Sequence, residues 1–402
     1  MEKNIEKNKN KKINLSLLIC LVGFPQISET IYTPSLTEIA QKYGVQLNIA
    51  QMTLSIYFIS FALGVFFWGI GSDFFGRRKA MNLGILVYVL GCFLCLASKT
   101  IELLFVGRFI QAFGASTGSV TTQTILRDNY SGNERHQLFA KISAALAFSP
   151  AIGPLIGGLL GEFYGFRAVF LFLVIMGMIL LFWSLKGLPE TAMFTQTRVD
   201  TKKVFSVGKK MLLDRYTISF GILIGIFNGI LFSYHSEAPT IFIEKFHFTQ
   251  SQYGFMGSIV ALATVVGAWL SNRELNHLAP ETIITNGIKL ALLGAIFLGL
   301  TASLPVHFVS QVTMYILGIF ILLAGVGMAL PNCLSLALVK FASIAGTAGA
   351  FLSLGYYIVV SLCTFLISLL HNGSLFVLPL FCLVLLLISL LCIKSVTIKK
   401  EK

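Results

Sequence analysis

The chain has 402 residues, 56% of them apolar and only 12% charged, with a mean hydropathy of +0.83. A soluble domain carries roughly 25% charged residues, so this chain lacks the polar side chains to cover a water-facing surface of its size. That excludes a soluble enzyme and, despite a formal charge of +13, a nucleic-acid binder.

Residues 1–12 form a Lys-rich tail. Twelve apolar runs follow, near 13–36, 48–70, 80–98, 101–124, 138–161, 167–188, 214–236, 250–271, 283–303, 308–331, 345–370 and 373–393. Each is long enough for a helix to span a bilayer, and none alternates as a barrel strand would. The expectation is an all-α, polytopic membrane protein with twelve transmembrane helices. The first run follows a basic start, as in a signal peptide, but no small-x-small cleavage site follows it, so it is read as an uncleaved span. The polar stretch 189–213 divides the chain into halves of six spans, 13–188 and 214–394, with 395–402 as a second tail. Transporters made of two bundles are laid out this way and bind their substrate near the midplane.

With both termini placed in the cytoplasm, 24 of the 30 Lys and Arg fall on the cytoplasmic side. Only Lys42, Lys99, Arg167 and Lys245 lie outside, and Arg108 and Lys289 fall within spans. This positive-inside bias accounts for the net charge without a polyanionic partner. The seven cysteines, including the Cys92/Cys95 pair, sit in apolar stretches and read as small buried hydrophobes. No cofactor or metal framework is indicated.

The loop after the second run reads Gly69-Ile-Gly-Ser-Asp73-Phe-Phe-Gly76-Arg77-Arg78-Lys79. Glycine allows a tight turn, and an acid set beside three cations is suited to accept N–H groups at the start of an opposing helix. In the fifth run, Gly153, Gly157 and Gly161 share one helix face, which lets another helix approach closely in lipid. Gly257 and Ala261 of the eighth run, with Ala263 and Gly267 nearby, offer a matching row.

The GxxxDxxGRR spacing resembles the signature loop of the major facilitator superfamily. Arg108-Phe-Ile-Gln111-Ala112-Phe-Gly114 is similar to its RxxQGxG pattern, with Ala112 in place of a glycine. Gly153-Pro154-Leu-Ile-Gly157-Gly158 resembles the GPxxGG signature of its antiporters. Tyr164 to Arg167, Leu188 to Thr191, Pro331-Asn332 and Ala345 to Ala348 add to a likeness to the Bcr/CflA drug-resistance branch. Within that branch the segment Gln26 to Pro34 is most similar to multidrug resistance protein D-like transporters, where glutamine stands in place of Glu29. The resemblance implies the major facilitator fold, two six-helix bundles. It also implies that spans five and eight form one contact between the halves.

Glu29 and Arg108 are the costly intramembrane charges, at about 2.5–3.5 kcal/mol each near a helix centre. With a span starting at Ile13, Glu29 lies roughly 24 Å along the helix, flanked by Gln26, Tyr32 and Thr33. It is either a carboxyl that gains and loses a proton during transport or a structural hydrogen-bonding group. Arg108 points inward, with Glu29 as one candidate partner. Tyr234, His235 and Glu237 lie towards the outer end of the seventh span; Glu237 is a second acid for the cavity, unless this segment is interfacial. Asp128 is either a partner for Arg77 or a surface ion-pair residue.

The resulting expectation is a secondary active transporter, exporting small amphipathic compounds by alternating access in exchange for protons. Glu29, Arg108 and Glu237 are the proton-coupling candidates. Gly69, Asp73, Gly76, Arg77, Arg78 and Asp128 would form the gating loop and latch, and Gly153, Pro154, Gly157 and Gly158 the antiporter motif. Gln26, Tyr32, Gln111, Tyr234 and Asn332 would line the substrate cavity. The alternative is transport of one dedicated metabolite such as a siderophore or small peptide, outward or inward. A channel lacks a visible ring of acids, and the six scattered His do not form a catalytic cluster. The setting expected is a bacterial inner membrane, and the protein is expected to act as a monomer.

Overall fold

The computed structural model describes residues 13–130, 148–191, 201–305 and 307–397, with 134, 137, 138, 141, 142, 145 and 146. Among the described residues every regular element is helical. The N-terminal half comprises α1 (Leu15–Thr30), α2 (Leu36–Tyr43), α3 (Leu47–Phe75), α4 (Arg77–Ala97), α5 (Ile101–Asn129), α6 (Ser149–Tyr164) and α7 (Phe166–Gly187). A linker helix, α8 (Thr201–Leu213), precedes α9 (Arg215–Ala238), α10 (Gln250–Glu274), α11 (Pro280–Ser303), α12 (Phe308–Ala337), α13 (Ala345–Leu370) and α14 (Val377–Thr397).

Ten helices among the described residues are long and apolar enough to cross a membrane, the rod formed by α1 and α2 counting as one. Two of the twelve expected spans fall short of that standard for different reasons. The 29-residue α5 is long enough, but buries Arg108, Gln111, Ser116, Thr117, Thr121 and Thr122. The apolar stretch Ala151–Tyr164 is short, and half of 138–147 lies outside the described residues. The first run is also not one continuous helix, because a 3-10 turn at Thr33–Ser35, carrying Pro34, separates α1 from α2.

Two apolar cores organise the bundle. One is built from residues 13–188, joined by Phe232 and Val360 from later in the chain, and the other from residues 211–393. The linker is partly structured: Met211 of α8 is buried in the second core, and Gly208 faces the Phe351 ring of α13. The helices turn back sharply at both ends. Gly76, with φ 89°, joins α3 directly to α4, a backbone conformation that disfavours any side chain.

The halves meet along two seams. In the first, α3 packs on α13: Ser361 Oγ donates to the Ser55 carbonyl at 2.8 Å, and Phe61 lies 4.7 Å from the Tyr357 ring. In the second, α6 packs on α10, with Gly158 against the Gln250 carbonyl and Gly254 against that of Pro154. One end of the bundle carries Arg77–Lys79, Arg127, Arg215, Arg273 and Lys340; the other carries Lys42, Lys99, Arg167 and Lys245. These are called the basic-rich and basic-poor ends.

Candidate functional site

Towards the basic-poor half of the bundle, Arg108 is fully buried. Its guanidinium lies 3.9 Å from the Tyr32 ring centroid and 4.3 Å from that of Tyr57, a geometry in which the ring quadrupoles offset part of the cost of burying the charge. Nη1 donates to Gln111 Oε1 at 2.6 Å and to the Ser28 carbonyl at 3.4 Å. Nε and Nη2 have no hydrogen-bond partner among the described residues. Gln111 passes the chain on to Cys92 Sγ at 3.1 Å, and Tyr32 shares a 2.9 Å hydrogen bond with Thr53.

Glu29 is buried on α1. Its carboxyl forms no hydrogen bond or ion pair with Arg108 among the described residues. The cation is an electrostatic neighbour only, so the direct pairing entertained from the sequence is not present in this arrangement. Tyr57, Tyr356 and Tyr357 are also within electrostatic reach of Glu29. Around them runs an aromatic layer drawn from both halves, in which Phe58 lies 4.2 Å from Phe232 and Tyr356 lies 4.4 Å from Tyr357. Gln26, half-buried on α1, completes the polar stripe expected there.

A second set of polar groups lies on α9. Tyr234, His235 and Glu237 are all buried, so these side chains are not water-exposed in this arrangement. Both ring nitrogens of His235, with Ser233 Oγ, Ser236 Oγ and Thr240 Oγ1, lack hydrogen-bond partners among the described residues. An unmet buried polar group costs about 1–3 kcal/mol, so such a cluster marks a surface suited to polar contacts. Towards the basic-rich end a cavity of about 180 Å³ lies between the halves, lined by Gln123 and Arg127 of α5 and by Ser353, Tyr356 and Tyr357 of α13.

The loop from Gly69 to Lys79 departs from expectation in detail. Among the described residues Asp73 pairs with Arg77, one turn on, and not with the start of an opposing helix. Arg77 Nε also donates to Asp128 at 2.9 Å, so the Arg77–Asp128 partnership is present. The carboxylate at the start of α4 belongs to Glu190, which accepts from the Arg77 N–H at 2.8 Å and the Arg78 N–H at 3.3 Å. Gly76 leaves room for it, since a Cβ there would strike that carboxylate. Arg78 donates onward to the Leu185 carbonyl, and Gly69 faces Ala350 of α13. Because an anion at a helix start contributes about 0.3–1 kcal/mol and a cap about 1 kcal/mol, Glu190→Gln should lower the melting temperature measurably. A melting curve identical to wild type would show that this cap adds nothing.

The small-residue rows also divide differently. Gly153 faces Thr30 of α1 and Gly157 faces Ile31 just after it, while Gly158 and Gly161 meet α10, at Gln250. On α10 the close contact is made by Gly254, while Gly267 faces Ala324 and Met328 of α12. The fifth and eighth runs do adjoin, with Gly254 making a close contact on α10. Asn332 is spent on helix packing: its amide donates to Ser271 Oγ at 2.7 Å and to the Met328 carbonyl at 3.0 Å.

Sequence reasoning missed Tyr57, Gln51, His371, Gln250 and the capping role of Glu190. Gln51 carried a usable signal, as an amide inside an apolar run. The others are recognised only through partners more than fifty residues away.

The Major Facilitator Superfamily profile matches residues 18–364. The chain is 33% identical over 400 residues to an uncharacterized transporter of Rickettsia felis, covering 97% of this chain and 98% of that one. It is 24% identical to multidrug resistance protein D of Escherichia coli, over 85% of each chain. The fold is similar to the crystal structure of a D-xylose-proton symporter, with TM-score 0.72, 15% identity and coverage of 93% and 96%. The chain is a multi-pass membrane transporter rather than an enzyme, and it belongs to the major facilitator superfamily.

Proposed function

We propose that this transporter exports small amphipathic compounds by alternating access, in exchange for protons, through twelve spans with both termini in the cytoplasm. The basic-rich end then faces the cytoplasm of a bacterial inner membrane, and the arrangement described is closed to the outside with its cavity towards the inside. One observation carries the reading: a buried carboxyl, Glu29, has no hydrogen bond among the described residues and adjoins an aromatic layer shared by the two halves. Aromatic walls suit amphipathic ligands of varied shape. A carboxyl beside them, with Arg108 as its electrostatic neighbour, is placed to exchange a proton as the layer parts. The resemblance to multidrug resistance protein D supports export.

The test uses proteoliposomes and an amphipathic dye such as ethidium. Wild type should release protons on dye addition and move dye against an imposed pH gradient. Glu29→Gln should still bind dye but lose proton release at least tenfold. Proton release unchanged in Glu29→Gln would remove Glu29 from the coupling step.

A further inference from the structure

At the basic-poor end, three segments drawn from both halves meet on one carboxylate. Glu237, at the end of α9, is 1% exposed. Its Oε1 and Oε2 lie within hydrogen-bond distance of His371 Nδ1, at 2.9 and 3.1 Å. Oε1 also accepts from Gln51 Nε2 at 3.1 Å, and the same amide donates to the Ser236 carbonyl at 2.9 Å. Gln51 stands near the start of α3 in the N-terminal half, and His371 directly follows α13 in the C-terminal half. The His371 side chain is 11% exposed, and its neighbour Asn372 lines a surface cavity of about 410 Å³ with Lys245. The other charged and titratable groups facing this cluster are Glu244, with Lys245 beside it, and Tyr315 of α12.

We propose that Glu237, His371 and Gln51 form a proton-operated catch that holds the basic-poor end shut, closed when His371 is an imidazolium. The cost of burying an unpaired charge is several kcal/mol. An imidazolium against Glu237 offsets that cost; a neutral imidazole leaves the carboxylate buried with dipoles alone, and parting the halves returns it to water. The sign follows from the surroundings of His371. Burial disfavours its charged form, but the hydrogen bond and charge of Glu237, with the charge of Glu244, outweigh burial and raise it above 6.5. The catch is therefore complete below the ordinary histidine value and is lost as pH rises through the raised one. This rests on the export reading only in naming this end the outside. On that reading, a proton arriving from outside shuts the outer end and resets the transporter inward.

The test is amide hydrogen exchange of the full chain in lipid nanodiscs, from about pH 5 to pH 9, corrected for intrinsic exchange rates. Peptides covering 47–54 and 239–245 should exchange at least tenfold faster once pH exceeds the His371 value. His371→Gln should abolish that step, and His371→Lys, a cation to about pH 10, should keep the protected state throughout. Protection of 104–118 serves as the folding control; if His371→Gln loses it, Glu237→Gln supplies the same measurement and should also lack the step. A wild-type profile without a step, or a step surviving in His371→Gln or His371→Lys, overturns the proposal. Glu29→Gln should retain the step, so a failure of proton coupling at Glu29 and a failure of the catch are read separately.

Discussion

Gly158→Ala is expected to drive the protein out of the arrangement closed at the basic-poor end, while Gly157→Ala, one residue away, is expected to weaken the N-terminal bundle itself. A Cβ on Gly158 would strike the Gln250 carbonyl oxygen and lie 3.1 Å from Ser251 Cα, both on α10 of the other half. A Cβ on Gly157 would strike the Ile31 carbonyl, within its own half. In both cases the obstacle is backbone, which cannot step aside as a flexible side chain would. Overpacking of this kind costs about 1–3 kcal/mol. At position 158 the strain is relieved when the halves part, and about 1.4 kcal/mol shifts such an equilibrium tenfold. The contacts released with it are Ser251 N–H to Glu162 at 2.8 Å, Ser35 to Gln250 at 3.0 Å and Gln250 to Glu38 at 3.3 Å. At position 157 no movement between halves helps, so the strain lowers stability. Gly158→Ala should therefore raise exchange at 250–254 at least tenfold while melting near wild type. Gly157→Ala should melt lower with little change in that segment. Equal melting losses in the two variants, with no change in exchange, would show that the α6–α10 seam is static packing.

That contrast also shows what sequence can convey. The glycine row was legible because its spacing is a property of a single helix. Which partner each glycine admits depends on how α1, α6 and α10 are brought together, and spacing is silent on this; Gly153 and Gly157 serve the end of α1, Gly158 and Gly161 serve α10. The loop from Gly69 to Lys79 divides in the same way. Gly76 and the Arg77–Asp73 pair are local, whereas Glu190 reaches the start of α4 across 113 residues of chain. Arg108 announced itself as a charge in a span, yet its binding to two tyrosine rings in place of a carboxylate required Tyr57 from another helix. The buried Glu237 needed His371, 134 residues on, before its charge had a partner. A histidine just past the end of a span resembles any loop residue, so no one-dimensional pattern marked it.

Replacing Arg108 with methionine should cut transport severely while leaving the protein as stable as wild type or more so. The side chain is fully buried, and removing a guanidinium from water costs several kcal/mol. Against that stand two ring contacts, each worth about 2 kcal/mol when desolvated, and hydrogen bonds to Gln111 and Ser28. These terms nearly cancel, and a buried ion is often replaced by an apolar side chain of like volume at no loss. Methionine also preserves contact with the aromatic rings. On the proposed coupling role, what methionine lacks is the charge that neighbours Glu29 and the two donors, Nε and Nη2, that bond to nothing among the described residues. Dye transport should fall by about a hundredfold, equivalent to about 2.7 kcal/mol. Arg108→Lys keeps the charge but loses the planar face and holds its water more tightly, so it should retain more transport than methionine and melt lower. Normal transport by Arg108→Met would reduce Arg108 to a packing residue. A marked fall in its melting temperature would instead make the stack between Tyr32 and Tyr57 a structural clamp, with the ring contacts outweighing the burial of charge.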